Sequence, residues 1–167
     1  MKKGIAILIA VLAVIGIIIG IISGSYNGLV NQQEEVENKQ SVISVQLQRR
    51  ADLIPNFVNT VKGYSDYEQK TYTAVTEARN AVAGAKTAGE QTKAAEQLDG
   101  AISVWVNAVT EAYPDLKANE NYKALQVELE GSENRIAVAR KDYNDAAKAY
   151  NSSVRRFPKN IIAGMFG

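Results

Sequence analysis

The side chains that most often perform chemistry are missing from this sequence. Its 167 residues include no His and no Cys. Without His there is no imidazole base, no imidazole metal ligand and no near-neutral proton switch. Without Cys there is no thiolate nucleophile, disulfide or thioester-linked lipid. The remaining candidates are carboxylates, guanidiniums and amides. Glu34, Glu35 and Glu37 form an acidic cluster, Arg49-Arg50 precede Asp52, and Glu130, Glu133, Arg135, Arg140, Lys141 and Asp142 crowd one later stretch. Carboxylate acid–base catalysis needs a pair in one pocket with separated pKa values, and no spacing here prescribes such a pair. A cation on the acidic cluster is one reading of it, and a solvated helix face is the ordinary one. No Gly-rich phosphate loop follows a strand. No catalytic, cofactor-binding or metal-ligating set is assigned, and no cofactor is expected.

Two positions depart from a simple solvated surface. Arg50 falls on the apolar face of its helix, so it needs a partner if buried. Glu133, beside Ser132 on the last helix, is the candidate for that interhelical pairing; a clamp for an anionic ligand is the alternative. Phe57, Trp105, Tyr143 and Tyr150 keep the phase of the apolar stripes and read as core anchors rather than ligand stacks.

The elements behind these residues are helical. Leu29, Gln33, Val36, Gln40, Ile43, Leu47, Arg50, Ile54, Phe57, Val61, Tyr64, Glu68, Thr71, Val75, Ala78 and Val82 step by four and three, the seam of a long packed helix. Pro55 interrupts it chemically, removing one donor and crowding the preceding turn. Either the helix kinks there, as the unbroken phase favours, or two helices meet. Gly84–Gly89 reads as a loop. Leu98, Ile102, Trp105, Val109 and Ala112 form a second stripe, ended by Tyr113-Pro114. Asn119 or Asn121 can cap the next helix. Its stripe runs from Tyr122 through Leu125, Leu129, Ser132, Ile136, Ala139, Tyr143, Ala147, Tyr150, Val154 and Phe157 to a stop at Pro158. Stripes on short connections bury one another most economically as an all-α, antiparallel up-and-down bundle. It has three long helices, or four if the first breaks at Pro55.

Ahead of the bundle, Gly4–Ile22 is an unbroken apolar run. At ~1.5 Å per residue it is about 28 Å of helix, close to a hydrocarbon core of ~30 Å. Lys2 and Lys3 precede it and no Lys or Arg follows until Lys39. By the positive-inside rule the N-terminus is cytoplasmic and the rest is exported. Ser23-Gly24-Ser25 would suit cleavage of a signal peptide before Tyr26, but such h-regions run ~7–15 residues, and this one is longer. Gly16, Gly20 and Gly24, spaced by four, let two membrane helices approach closely, and they are the candidate self-association positions.

Specific segments carry a resemblance. They are Tyr26-Asn-Gly-Leu-Val30, Gln46-Leu-Gln-Arg-Arg-Ala-Asp-Leu-Ile-Pro-Asn56, Val61-Lys-Gly-Tyr64, Ala78-Arg79, Tyr113-Pro-Asp-Leu-Lys-Ala-Asn119, Leu129-Glu-Gly-Ser-Glu-Asn-Arg-Ile-Ala-Val-Ala-Arg140, Asp142-Tyr-Asn144, Tyr150-Asn151 and Arg155-Arg-Phe-Pro158. With the apolar leader, they make the chain resemble the LemA family of bacterial membrane-anchored proteins. That resemblance implies an exported helical bundle, usually four-helical, with no established enzymatic activity. Members commonly run on past the Phe-Pro segment into a longer aromatic tail, whereas this sequence stops at Gly167.

The organisation expected is an anchor over 1–25, a LemA-like bundle over 26–158 and an apolar tail over 159–167. The expected location is the bacterial cytoplasmic (inner) membrane, crossed once, with the bundle periplasmic or extracellular. The expected partners are the lipid bilayer, further copies of the chain as a homo-oligomer, and other envelope proteins. A net charge of +1 argues against nucleic acid. The function expected is a non-enzymatic structural or interaction module. A sensory or small-ligand-binding module working with a separate signalling partner is the alternative.

Overall fold

The structure, a computed structural model, describes residues 2–62 and 69–166. Five α-helices follow in order: α1 Lys2–Lys62, α2 Gln69–Gly84, α3 Ala88–Ala112, α4 Glu120–Val154 and α5 Lys159–Phe166, with a 3₁₀ turn at Pro114–Ala118 between α3 and α4. No strand occurs among the described residues. Helix α1 runs through Pro55 without ending. Pro55 is exposed while Ile54 and Phe57 are buried, so the seam keeps its phase across the proline. The described residues of the first seam lie on two helices, α1 and α2. Tyr64 and Glu68 lie outside the described residues, as does the side chain of Thr71.

The chain divides into two compact units, Gln40–Lys141 and Met1–Lys39 with Asp142–Gly167. In Gln40–Lys141 the helix directions follow from paired contacts. Ser44 meets Gln91, Arg50 meets Asp99 and Phe57 meets Trp105, so α1 and α3 run parallel. The short connection after Gly84 sets α2 against α3. Phe57 also packs on Tyr122 at the start of α4, while Arg49, Asp52 and Leu53 line one cleft with Glu128 and Ser132. Residue numbers rise on α1 as they fall on α4, which is the antiparallel, up-and-down order.

An aromatic cluster forms the centre of this unit. The rings of Phe57 and Trp105 lie 4.8 Å apart at 59°, and those of Phe57 and Tyr122 lie 5.1 Å apart at 53°. Tilted pairs of this kind add about 0.5–1.5 kcal/mol beyond their buried area. The Tyr122 hydroxyl is 2.7 Å from Thr110 Oγ1, which is itself 2.6 Å from the Val106 carbonyl. Thr110 has one proton and gives it to the carbonyl, so Tyr122 is the donor to Thr110. Leu47, Val61, Val75, Leu98 and Leu116 are also fully buried in this unit.

The helix ends follow local rules. Thr87 and Glu90 make a reciprocal capping box: the Glu90 amide donates to Thr87 Oγ1, and Glu90 accepts from the amides of Thr87 and Lys86. The Thr87 and Lys86 bonds hold the Glu90 carboxyl below its usual range. The box draws Ala88 and Gly89 into α3, so the loop is shorter than Gly84–Gly89. Asn119 Oδ1 accepts from the Tyr122 amide at 3.1 Å and caps α4.

In the second unit, every residue of α1 from Gly4 to Ile21 is exposed. An 18-residue window of α1 with a mean hydropathy of 3.4 is long and apolar enough to cross a membrane. Burial begins at Ile22 and recurs at Ser25 and Leu29, the three-four step of a helix face. The apolar tail forms the helix α5 over Lys159–Phe166.

The core cluster yields a stability prediction. Trp105→Ala removes a side chain that is 2% exposed and lowers the unfolding free energy by about 3–5 kcal/mol. Val127→Ala, at a position 68% exposed, changes it by less than about 0.5 kcal/mol. Urea titration of the detergent-solubilised chain, followed by circular dichroism, checks both.

Candidate functional site: charges held between helices

The buried polar groups of Gln40–Lys141 form a ladder along the α1–α3 contact. Gln91, 5% exposed, donates its Nε2 to Ser44 Oγ at 2.9 Å. Nearly two turns further along, Arg50 Nη1 lies 2.6 Å from Asp99 Oδ1. The Arg50 side chain is 5% exposed and that of Asp99 is 36% exposed. The pair touches off the hydrogen-bond axis, and Arg50 Nε and Nη1 have no aligned acceptor. The ionic contact is therefore close, but it does not satisfy the guanidinium.

The carboxylate that meets Arg50 is thus Asp99, not Glu133. The reason is register: with Ser44 opposite Gln91 and Phe57 opposite Trp105, the α3 position facing Arg50 is Asp99. Glu133 is exposed on α4 and borders the same cleft. That cleft, about 210 Å³, is lined by Arg50, Ile102, Val106, Asn107, Leu129 and Glu133, among others. Arg140 reaches the cluster from α4, with its own Nε and Nη2 buried and unbonded. Burial pushes the Asp99 carboxyl above its usual value. Arg50 pulls it down, Glu133 pushes it up, Arg140 pulls it down and Glu96 pushes it up. Two cations and two further carboxylates thus surround one half-buried acid.

The other assigned positions fall elsewhere. Phe57 and Trp105 sit in the aromatic cluster, 0% and 2% exposed. Tyr143 and Tyr150 are half-buried rather than core anchors. They lie beyond Lys141 on α4, outside the four-helix unit, and the aromatic anchor that α4 supplies to the core is Tyr122. Side chains added at Gly16, Gly20 or Gly24 would meet open space. A surface bridge joins Arg135 to Glu128 at 2.8 Å, seven residues apart on α4. Gly131 lies between them, and a Cβ there would come 3.3 Å from Arg135 Nη1, so the missing side chain leaves room for the guanidinium to fold back. No group of three or more acidic side chains placed to hold a metal ion occurs among the described residues.

Asp99 is absent from the candidates the sequence offers, and Arg140 appears there only as one member of the charged stretch Glu130–Asp142. Glu133, Ile136 and Arg140 step by three and four on one face of α4, which was the available signal for Arg140. Asp99 offered only its place next to Leu98 on the stripe.

The architecture defines an all-helical bundle protein led by a helix of membrane-spanning length, with its deepest charges set between helices. Comparison with known proteins then gives the family. The LemA family model matches residues 39–167. The chain is 30% identical to Protein LemA of Metamycoplasma hominis, over 82% of this chain and 63% of that protein. It is 28% identical to Magnetosome protein MamQ 2 of Paramagnetospirillum magneticum and 25% identical to Magnetosome protein MamQ of Magnetospirillum gryphiswaldense, in each case over 84% of this chain and 61% of the relative. The chain belongs to the LemA family. It spans a little over three-fifths of the length of these relatives, and none of their names denotes an enzyme.

The cluster predicts a pH dependence. A carboxyl held above its unfolded value favours the fold below the unfolded range of ~4, and that contribution is lost as pH rises through the raised value. Asp99→Asn removes this titration. Thermal melts between about pH 4 and pH 7 should show the parent losing stability relative to the variant as pH rises. A difference that does not change with pH would contradict the raised carboxyl.

Proposed function

We propose that this protein is a non-enzymatic structural and interaction module, anchored in the bacterial cytoplasmic membrane and self-associating through its exported helices. The observation that carries the reading is the bare run Gly4–Ile21, where no side chain is covered by the rest of the chain. Such a surface is costly in water and needs an apolar cover, and a bilayer supplies one of matching thickness. Lys2 and Lys3 argue for an N-terminus on the cytoplasmic side and a bundle outside. Non-enzymatic work fits a chain without His or Cys whose buried charges face one another across helices. The candidate positions for self-association are the open Gly16, Gly20 and Gly24 row and the exposed valines Val42, Val45, Val104 and Val138, spread over α1, α3 and α4. Other envelope proteins are the alternative partners for those faces.

One observation favours a second reading as a small-ligand-binding module. The cleft beside Arg50 joins a buried guanidinium lacking aligned acceptors to an apolar wall of Ile102, Val106 and Leu129. A sensory role would need a separate signalling partner.

Mass measurement on the detergent-solubilised chain tests the first reading. It should give a multiple of the monomer mass, and chemical crosslinking in membranes should give the same multiple. Gly20→Leu should lower the oligomeric fraction if the anchors pair. A monomer by both methods would exclude self-association.

A further inference from the structure

The C-terminal end of α4 and the helix α5 concentrate one sign of charge. After Asp145 the sequence has no acidic residue, but it has Lys148, Arg155, Arg156 and Lys159. None of the four makes an ion pair among the described residues. On α1 there is no acidic residue before Glu34, so the stretch beside α5 offers them no counter-charge. Lys148, Arg155 and Arg156, with Asn144, Asn151 and Ser152, line an open cleft of about 640 Å³.

Beside these cations lies uncovered apolar surface. Helix α5 carries two adjacent apolar rows. Ile162 is 4% exposed and Phe166 meets Tyr26 of α1, with ring centroids 5.3 Å apart at 60°. Ile161 and Met165 form the other row and are 52% and 69% exposed, and Phe157, just ahead of α5, is 80% exposed. Ile162 is therefore covered, Phe166 stays 59% exposed beside Tyr26, and nothing among the described residues covers Ile161, Met165 or Phe157.

The place of α5 along α1 says what covers it. Its contacts on α1 are Tyr26 and the neighbourhood of Gly28, where the Lys159 ammonium lies 3.6 Å from a Cβ built on that glycine. These positions are four and six residues past Ile22, the end of the apolar run. At ~1.5 Å per residue that is about 6–9 Å beyond the hydrocarbon edge. Headgroups occupy this depth, and surface-lying helices bury an apolar face ~5–10 Å into it. Exposed Phe, Ile and Met beside unpaired Arg and Lys are the chemistry that acyl chains and anionic phosphates take up together.

We infer that α5 and the end of α4 form a second membrane contact, in which Phe157, Ile161 and Met165 enter the interface and Arg155, Arg156 and Lys159 bind anionic phospholipid headgroups of the bilayer crossed by the anchor. The inference rests on the anchor reading above and adds a lipid class and a site to it.

The absence of Cys makes the test direct. Single Cys variants Ile15→Cys, Met165→Cys and Val127→Cys of the full chain carry a nitroxide in vesicles of phosphatidylcholine, with or without an equal part of phosphatidylglycerol. Relative accessibility to oxygen and to a water-soluble nickel chelate gives depth. Position 15 should be deep, position 127 aqueous and position 165 interfacial, moving deeper when phosphatidylglycerol is present. That shift should vanish when Arg155→Gln, Arg156→Gln and Lys159→Gln are added. A deep position 15 with a position 165 as aqueous as 127 overturns the inference and leaves the anchor standing. Equal depth in both lipids overturns the anionic headgroup assignment. Shielding of position 165 from both reagents shows a protein cover and overturns the inference. An aqueous position 15 removes the anchor reading itself.

Discussion

A guanidinium cannot shed its charge, so a helix seam that contains one must be built around it. Arg50 imposes this constraint on the four-helix unit. Burying it in an apolar seam is costly by itself, and Asp99 is the contact that offsets the cost. A slip of α3 along α1 by one turn would carry Asp99 away from Arg50. It would also part Gln91 from Ser44 and Trp105 from Phe57. The ionic contact is imperfect, as the raised carboxyl and the unaligned nitrogens show. Its contribution is thus to specify which α3 position faces Arg50 more than to add stability, the use best attested for buried polar groups in helix seams.

Much of the architecture was legible in the sequence because helical periodicity is a local signal. The stripes through Leu98, Ile102, Trp105 and Val109, and through Leu129, Ser132, Ile136 and Ala139, are the buried faces of α3 and α4. The Thr87–Glu90 box was also present in the sequence and marks the start of α3 more closely than the glycines do. Pairing across helices was not legible. The partner of Arg50 depends on the parallel register of α1 and α3, which three separate contacts set together and no single spacing encodes. Tyr143 and Tyr150 show the same limit: their phase is that of a buried face, but the number of helices covering that face varies along α4.

The charges divide into two kinds by what surrounds them. Arg50 and Asp99 touch, and Glu133 and Arg140 act on the same carboxyl. Arg155, Arg156 and Lys159 have no such neighbours, and their field extends outward beside exposed aromatic and aliphatic side chains. The first group lies between helices, and the second is the one assigned above to anionic headgroups. A protein without His or Cys can thus use its ionic groups for assembly and attachment, in keeping with a family whose matched relatives carry no enzyme names.

Arg50 and Asp99 act as a coupled pair rather than as two independent surface charges. A double-mutant cycle with Arg50→Met and Asp99→Leu, read by urea unfolding of the full chain in detergent, measures this directly. The coupling should be about 1–3 kcal/mol, with the double variant less destabilised than the sum of the singles. Additivity within about 0.5 kcal/mol would contradict it.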